Sequence, residues 1–177
     1  VLPKEVIRAT EEEKQDQTVW HKLESGSFQE GNQVHGIINW ERRYKHMQRH
    51  TAEHMLAQAF IRVNPSFETQ AVNLGQKICT IDIDGQPNPQ DLNQAEAIVN
   101  AEAYKNLAIK TFNVDKADIQ NYPLRRTPKV SGIIRLVQIG NYDTSACGGT
   151  HLNFSAEALP IKVISFEKIK GNLTRIY

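Results

Sequence analysis

Two half-sites, far apart in the chain, restrict what this sequence can fold into. His50 and His54 lie four residues apart within RHTAEHMLAQAF (Arg49–Phe60), and Cys147 and His151 lie four apart within ACGGTH (Ala146–His151). On a helix, a four-residue spacing puts both imidazoles on one face, one turn apart, as a shared metal ion requires. Gly148 and Gly149 separate the second pair, so a tight turn is expected there, with a backbone able to approach a ligand closely. Together the four residues offer N, N, S and N donors, a set that suits zinc. Either pair alone carries little weight, because His pairs at helical spacing are common and a lone Cys is usually a small core hydrophobe. The two halves together make a Zn2+ site of His50, His54, Cys147 and His151 the expectation, and any such fold must bring a helix against a glycine turn.

The surrounding pattern supplies those elements. Asn39 is a suitable N-cap, Glu41 suits a first helical turn and Asn64-Pro65 ends the segment, so a helix is predicted between them. Met47, His50, His54, Ala57 and Ile61 would share one of its faces. Lys77–Asp84 alternates like a strand, with Cys79 facing the core beside Ile81 and Ile83. Asn88-Pro89 opens a second helix whose buried stripe is Leu92, Ala95, Val99, Ala103 and Leu107. Ile109–Val114, Ile133–Ile139, Ile161–Ile169 and Leu173–Tyr177 read as further strands, and Tyr122–Ser131, with two prolines, as a loop. Strand pieces at Thr18–Leu23 and Val34–Ile38 suggest a fragment of a small β lobe. The expected architecture is α+β: a partial N-terminal β lobe over 1–39, then an antiparallel sheet backed by helices over 40–177.

Bulk properties narrow the function classes. With 40% hydrophobic and 23% charged residues the composition is that of a soluble globular protein. No apolar run approaches a membrane span, and residues 1–17 are charged and lack a signal-peptide core. The first residue is Val, which reads as a processed or trimmed start. A net charge of +1 excludes a broadly basic nucleic-acid surface but leaves room for local ones: Arg42, Arg43, Lys45 and Arg49, or Arg125, Arg126 and Lys129. Most of these charges are expected to be solvated. Nothing supports a disulfide between Cys79 and Cys147, and a reducing, cytoplasmic location is the expectation.

INWERRYKHMQRH before the first motif and IGNYDTSACGGTH around the second resemble the editing domain of alanyl-tRNA synthetase and the free-standing AlaX trans-editing proteins. The resemblance runs from about Val19 to Tyr177. Threonyl-tRNA synthetase editing domains share the ligand spacing but usually carry Arg and Pro where this chain has Gly148 and Thr150. The resemblance implies the four-residue zinc set, a substrate-facing Gln70, and deacylation of mischarged tRNA(Ala). The partner would be its acceptor end carrying serine or glycine. Glu53 stands where the synthetases often have Thr, and its place in the motif suggests that it points off the metal face.

That chemistry assigns provisional roles. Gly148 and Gly149 could cradle the substrate carbonyl or the terminal ribose through their backbone N–H groups, beside Gln70 at the catalytic centre. Thr51, Thr69, Gln70 and Thr150 are candidate partners for a substrate hydroxyl. Asp143 joins the substrate-side residues or acts as an acceptor behind a ligand histidine; a turn residue is the equal alternative. Four protein ligands usually close a structural zinc, whereas a catalytic ion keeps a position open. A tRNA-binding module with a structural zinc, a threonyl-type editing domain and an unrelated zinc hydrolase are therefore rival readings. HTAEH is not the HExxH order, which disfavours the last.

Overall fold

The computed structural model describes residues 9–15, 18–75, 77–128 and 131–177. It divides into two compact units, 1–38 and 39–177. In the first, β1 (Ala9–Gln15) pairs antiparallel with β2 (Thr18–Leu23). The charged run at β1 gave no sequence sign of a strand. Val34–Ile38, read as a strand, is not one: it is exposed and has no strand partner among the described residues.

The second unit begins with α1 (Trp40–Val63), where Asn39 accepts from the Arg42 N–H as N-cap and the Asn64 backbone closes the far end on the Phe60 carbonyl. Then follow β3 (Thr69–Leu74), β4 (Cys79–Asp84), α2 (Pro89–Tyr104) and β5 (Ile109–Asp115). A 3₁₀ turn at Lys116–Asn121 leads to β6 (Ile133–Ile139) and β7 (Asp143–Ala146). Another at Ser155–Ala158 precedes β8 (Phe166–Lys170) and β9 (Leu173–Ile176). Asn88 and Asp91 form a reciprocal capping box at the start of α2, with Pro89 at the first helical position.

The class is α+β, but the strands of this unit form two antiparallel sheets rather than one. The first has the order β3-β4-β9-β8 and the second β5-β6-β7. Met55, Ala59 and Phe60 of α1 pack with Leu92, Ala95, Val99 and Ala103 of α2 against Ile81, Ile83 and Ile176 of the first sheet. Ile139, Tyr142 and Leu152 belong to the same core. A smaller cluster, Val114, Ile134 and Leu136, sits with the 3₁₀ turn after β5.

The expected strand over Ile161–Ile169 starts late, at Phe166. Side chains of α2 take its first backbone groups instead: Asn100 donates to the Ile161 carbonyl (2.6 Å) and accepts from the Ile161 N–H (2.9 Å), while Glu96 accepts from the Val163 N–H (2.8 Å). Asp82, on the opposite face of β4 from Ile81 and Ile83, is buried and holds Arg175 by two bonds at 2.7 and 2.8 Å. Cys79, read as core, is only half-buried, and both cysteines are free thiols.

Candidate metal centre

The helix and the glycine turn meet. The donor atoms of His50, His54, Cys147 and His151 all lie within 4.8 Å of one another, and together they could hold a metal ion. Two ligands come from the middle of α1 and two from the segment that follows β7. Two contacts from outside that segment also hold α1: the Tyr142 hydroxyl, just before β7, donates to the Met55 carbonyl (2.9 Å), and Arg125 Nη1 donates to the His54 carbonyl (2.8 Å).

Neighbouring groups orient each donor. His50 Nδ1 lies 3.2 Å from the Thr150 carbonyl, which can only accept, so the proton sits on Nδ1. Nε2 then presents its lone pair, 3.3 Å from Cys147 Sγ. His151 Nδ1 faces the Thr51 hydroxyl at 3.2 Å, and that oxygen also accepts from the Leu152 N–H. His151 Nε2 is buried with no hydrogen-bond partner. An orphaned imidazole nitrogen among a thiol and two further imidazoles is what a metal ligand looks like without its ion. His54 Nδ1 lies 3.4 Å from Asp143 Oδ2, an ion-pair contact whose angles do not make a hydrogen bond.

Charge in the cluster follows from this packing. Burial would raise the Cys147 thiol, but the surrounding imidazoles of His151, His50 and His54, with the Gly149 N–H, override it and hold Cys147 down at about 3. The donor set thus presents a thiolate, the form that binds metal. Burial pushes His54 down; Asp143, Cys147 and Glu53 outweigh it and lift His54 to about 9. His151 is lowered, first by burial and then by the two neighbouring histidines, against the pull of Cys147.

A cleft of about 490 Å³ opens beside His54. Glu53, Thr69, Gln70, Arg125, Arg126 and Ser145 are among the residues that line it. Gln70 is exposed on β3 and faces the cleft, and the Thr69 hydroxyl is buried there without a partner. Three other substrate-side candidates lie elsewhere. Thr51 is 0% exposed, with its oxygen committed to His151 and Leu152. Asp143 opens β7 behind His54, its side chain fully buried, and accepts from Ser145 Oγ (2.9 Å). Thr150 is exposed, outside the cleft lining, and acts on His50 through its carbonyl.

Gly149 also differs from the cradle expected of it. The Gly149 N–H donates to Cys147 Sγ (3.4 Å), so it steadies the thiolate rather than facing a substrate. A Cβ at Gly149 would collide with the His50 ring, whereas Gly148 has open space around it.

Three contributors escaped the sequence reading. Glu53, placed off the metal face, is buried in the cleft with Oε2 3.8 Å from His54 Nε2. Arg125, grouped with loop charges, is engaged with the His54 carbonyl and lies 3.6 Å from Asp143 Oδ1. Lys129 of that group lies outside the described residues. Arg135 Nη1 donates to the carbonyls of Cys147 (2.7 Å) and Gly149 (2.9 Å), strapping the ligand turn. A charge between Ile134 and Leu136 in an apolar strand was the available signal for Arg135.

This α+β unit places three imidazoles and one thiol that could hold a metal ion beside an open cleft. Residues 134–177 match the family described as the threonyl and alanyl tRNA synthetase second additional domain. The chain is 31% identical to an alanine–tRNA ligase of Pyrococcus furiosus over 99% of its own length and 20% of the ligase. It is 33% identical to the alanyl-tRNA editing protein AlaX-L of Pyrococcus horikoshii, covering 88% of this chain and 39% of that protein. An alanyl-tRNA editing protein of Danio rerio is 28% identical over 86% of the chain and 38% of its own length. The chain is thus similar to alanine–tRNA ligases and to alanyl-tRNA editing proteins, and its C-terminal quarter matches the domain family they suggest. It spans well under half the length of these relatives.

Proposed function

We propose that this chain is a zinc-dependent deacylase of mischarged tRNA(Ala), acting on Ser-tRNA(Ala) and also on Gly-tRNA(Ala). The observation that carries the reading is the junction of the His50/His54/Cys147/His151 cluster with an open cleft walled by Thr69 and Gln70. The editing proteins among its relatives point the same way. A pocket built for alanine cannot strongly reject an amino acid that merely adds a hydroxyl, so fidelity needs a second site that reads that hydroxyl. Thr69, with its unpartnered buried oxygen, and Gln70 beside it are suited to do so.

The thiolate and the oriented imidazoles are a donor set for zinc, which when bound supplies Lewis acidity toward an ester. Thr51, Thr150 and Asp143 hold the histidines in place, and Arg125 and Arg135 hold the segments that carry them. The RNA phosphates have a second surface. Arg42, Lys45, His46 and Arg49 line a groove of about 350 Å³ on α1, whose later turns carry His50 and His54. No helix among the described residues is long and apolar enough to cross a membrane; a cytoplasmic place of action goes with the tRNA substrate.

The test is hydrolysis of Ser-tRNA(Ala) and Ala-tRNA(Ala) in parallel, with and without chelator. Fast, chelator-sensitive loss of serine alone is expected. Equal rates on both esters would leave a general aminoacyl-ester hydrolase. The full set of four protein donors favours one rival, a tRNA-docking module with structural zinc, and binding of tRNA(Ala) without turnover would establish it.

A further inference from the structure

Glu53 is a mostly buried side chain on the wall of the cleft. It is 9% exposed and lines the cleft, yet no N–H or O–H among the described residues donates to it. Its nearest charged neighbour is His54 Nε2, 3.8 Å from Oε2, beyond hydrogen-bond reach. The other nitrogen of that ring faces Asp143, so two carboxylates share it. The arginines of the cleft are engaged elsewhere: Arg125 with the His54 carbonyl and Asp143, and Arg126 with the Thr69 carbonyl (3.4 Å). A carboxylate on the wall of an open cleft, to which no donor of the protein is bonded, is suited to receive a cation brought by the ligand.

We propose that Glu53 receives the α-ammonium group of the esterified amino acid. The site would then accept only aminoacyl esters with a free amino group and reject N-acylated or peptidyl esters. The inference rests on the deacylase reading above and adds a determinant of its substrate class. The α-nitrogen is separated from the ester carbonyl carbon by one carbon atom, so the groups that hold the two must stand side by side. Glu53 and the ligand His54 do so. A neutral residue at this position would leave the ammonium unpaired; a carboxylate makes its charge a condition of binding.

The probe is 3′-serylamino-3′-deoxyadenosine, whose amide resists hydrolysis, compared with its N-acetyl derivative by calorimetry on the zinc-loaded protein. The free amine should bind roughly 10- to 100-fold tighter, and Glu53→Gln should erase the difference. Equal binding of the two compounds by the unaltered protein overturns the proposal without any variant. So does a preference that survives in Glu53→Gln. Zinc content and thermal melting of Glu53→Gln are measured alongside and should match the parent; a fall in zinc would assign Glu53 to the metal instead. Hydrolysis of Ser-tRNA(Ala) and N-acetyl-Ser-tRNA(Ala) separates the two levels of the argument. Equal cleavage of both removes the ammonium receptor and leaves the deacylase. Cleavage of neither, with no analogue bound, removes both.

Discussion

Replacing Gly149 by Ala tests the metal centre more sharply than removing a ligand. Neither Gly148 nor Gly149 has a positive φ, so Ala fits the backbone at both, and any difference between the two replacements comes from what the new methyl meets. At Gly149 it would overlap His50 Cε1 and stand 2.7 Å from Nδ1. The ring has little room to retreat. Nδ1 is tied to the Thr150 carbonyl at 3.2 Å, Nε2 faces Cys147 Sγ at 3.3 Å, and the His151 ring lies against it with centroids 4.0 Å apart. Relief must therefore displace a donor or the ligand turn itself. Disturbing the groups that orient a metal ligand typically costs 10- to 100-fold in affinity, or about 1.4–2.7 kcal/mol. At Gly148 no heavy atom lies within 4 Å of the new methyl, and no change is expected. Competition with a chromophoric zinc chelator measures both affinities, and far-UV circular dichroism checks that both proteins fold. Parent-like affinity in Gly149→Ala, or an equal loss in Gly148→Ala, would refute this account of the site.

Three further outcomes are expected. Thr51→Val keeps the shape but strands the Leu152 N–H and His151 Nδ1, so stability should fall by about 1–3 kcal/mol in urea melts, with weaker zinc binding; Thr51→Ser should restore both. Glu96 is opposed by burial but held below its ordinary range by Lys162 and the Val163 N–H, so it stabilises the fold above its unfolded value near 4.5 and loses that contribution as pH falls through its folded value. Glu96→Gln should therefore cost about 1 kcal/mol at neutral pH, and the gap to the parent should narrow as pH falls below the unfolded value and close below the folded one in denaturation series. Finally, chelation should abolish deacylation while leaving far-UV circular dichroism nearly unchanged, because the core around Phe60, Ile83 and Val99 does not depend on the ion; global unfolding would favour the structural-zinc reading.

The four residues of the donor cluster were legible in the sequence because their signals are local. His50 and His54 are set by helical spacing, Cys147 and His151 by a glycine turn, and α1 and α2 by Asn caps and a proline whose effects reach only a few residues. The strands β5 and β6 were visible for the same reason, in short stretches rich in Ile, Val, Leu and Phe. Everything that depends on what lies opposite in space was not. That Thr51 braces His151 rather than facing a ligand, that Asp143 backs His54, and that Arg135 straps the ligand turn are facts of pairing between β6, β7 and α1, distant in the chain. The run from Ile161 has strand composition, but Asn100 and Glu96 claim its backbone groups first. Glu53 is the clearest case. Sequence spacing sets its direction around the helix, but only the packing of β3 and the Arg125–Pro128 segment turns that direction into a buried cleft wall, where its carboxylate becomes a binding group.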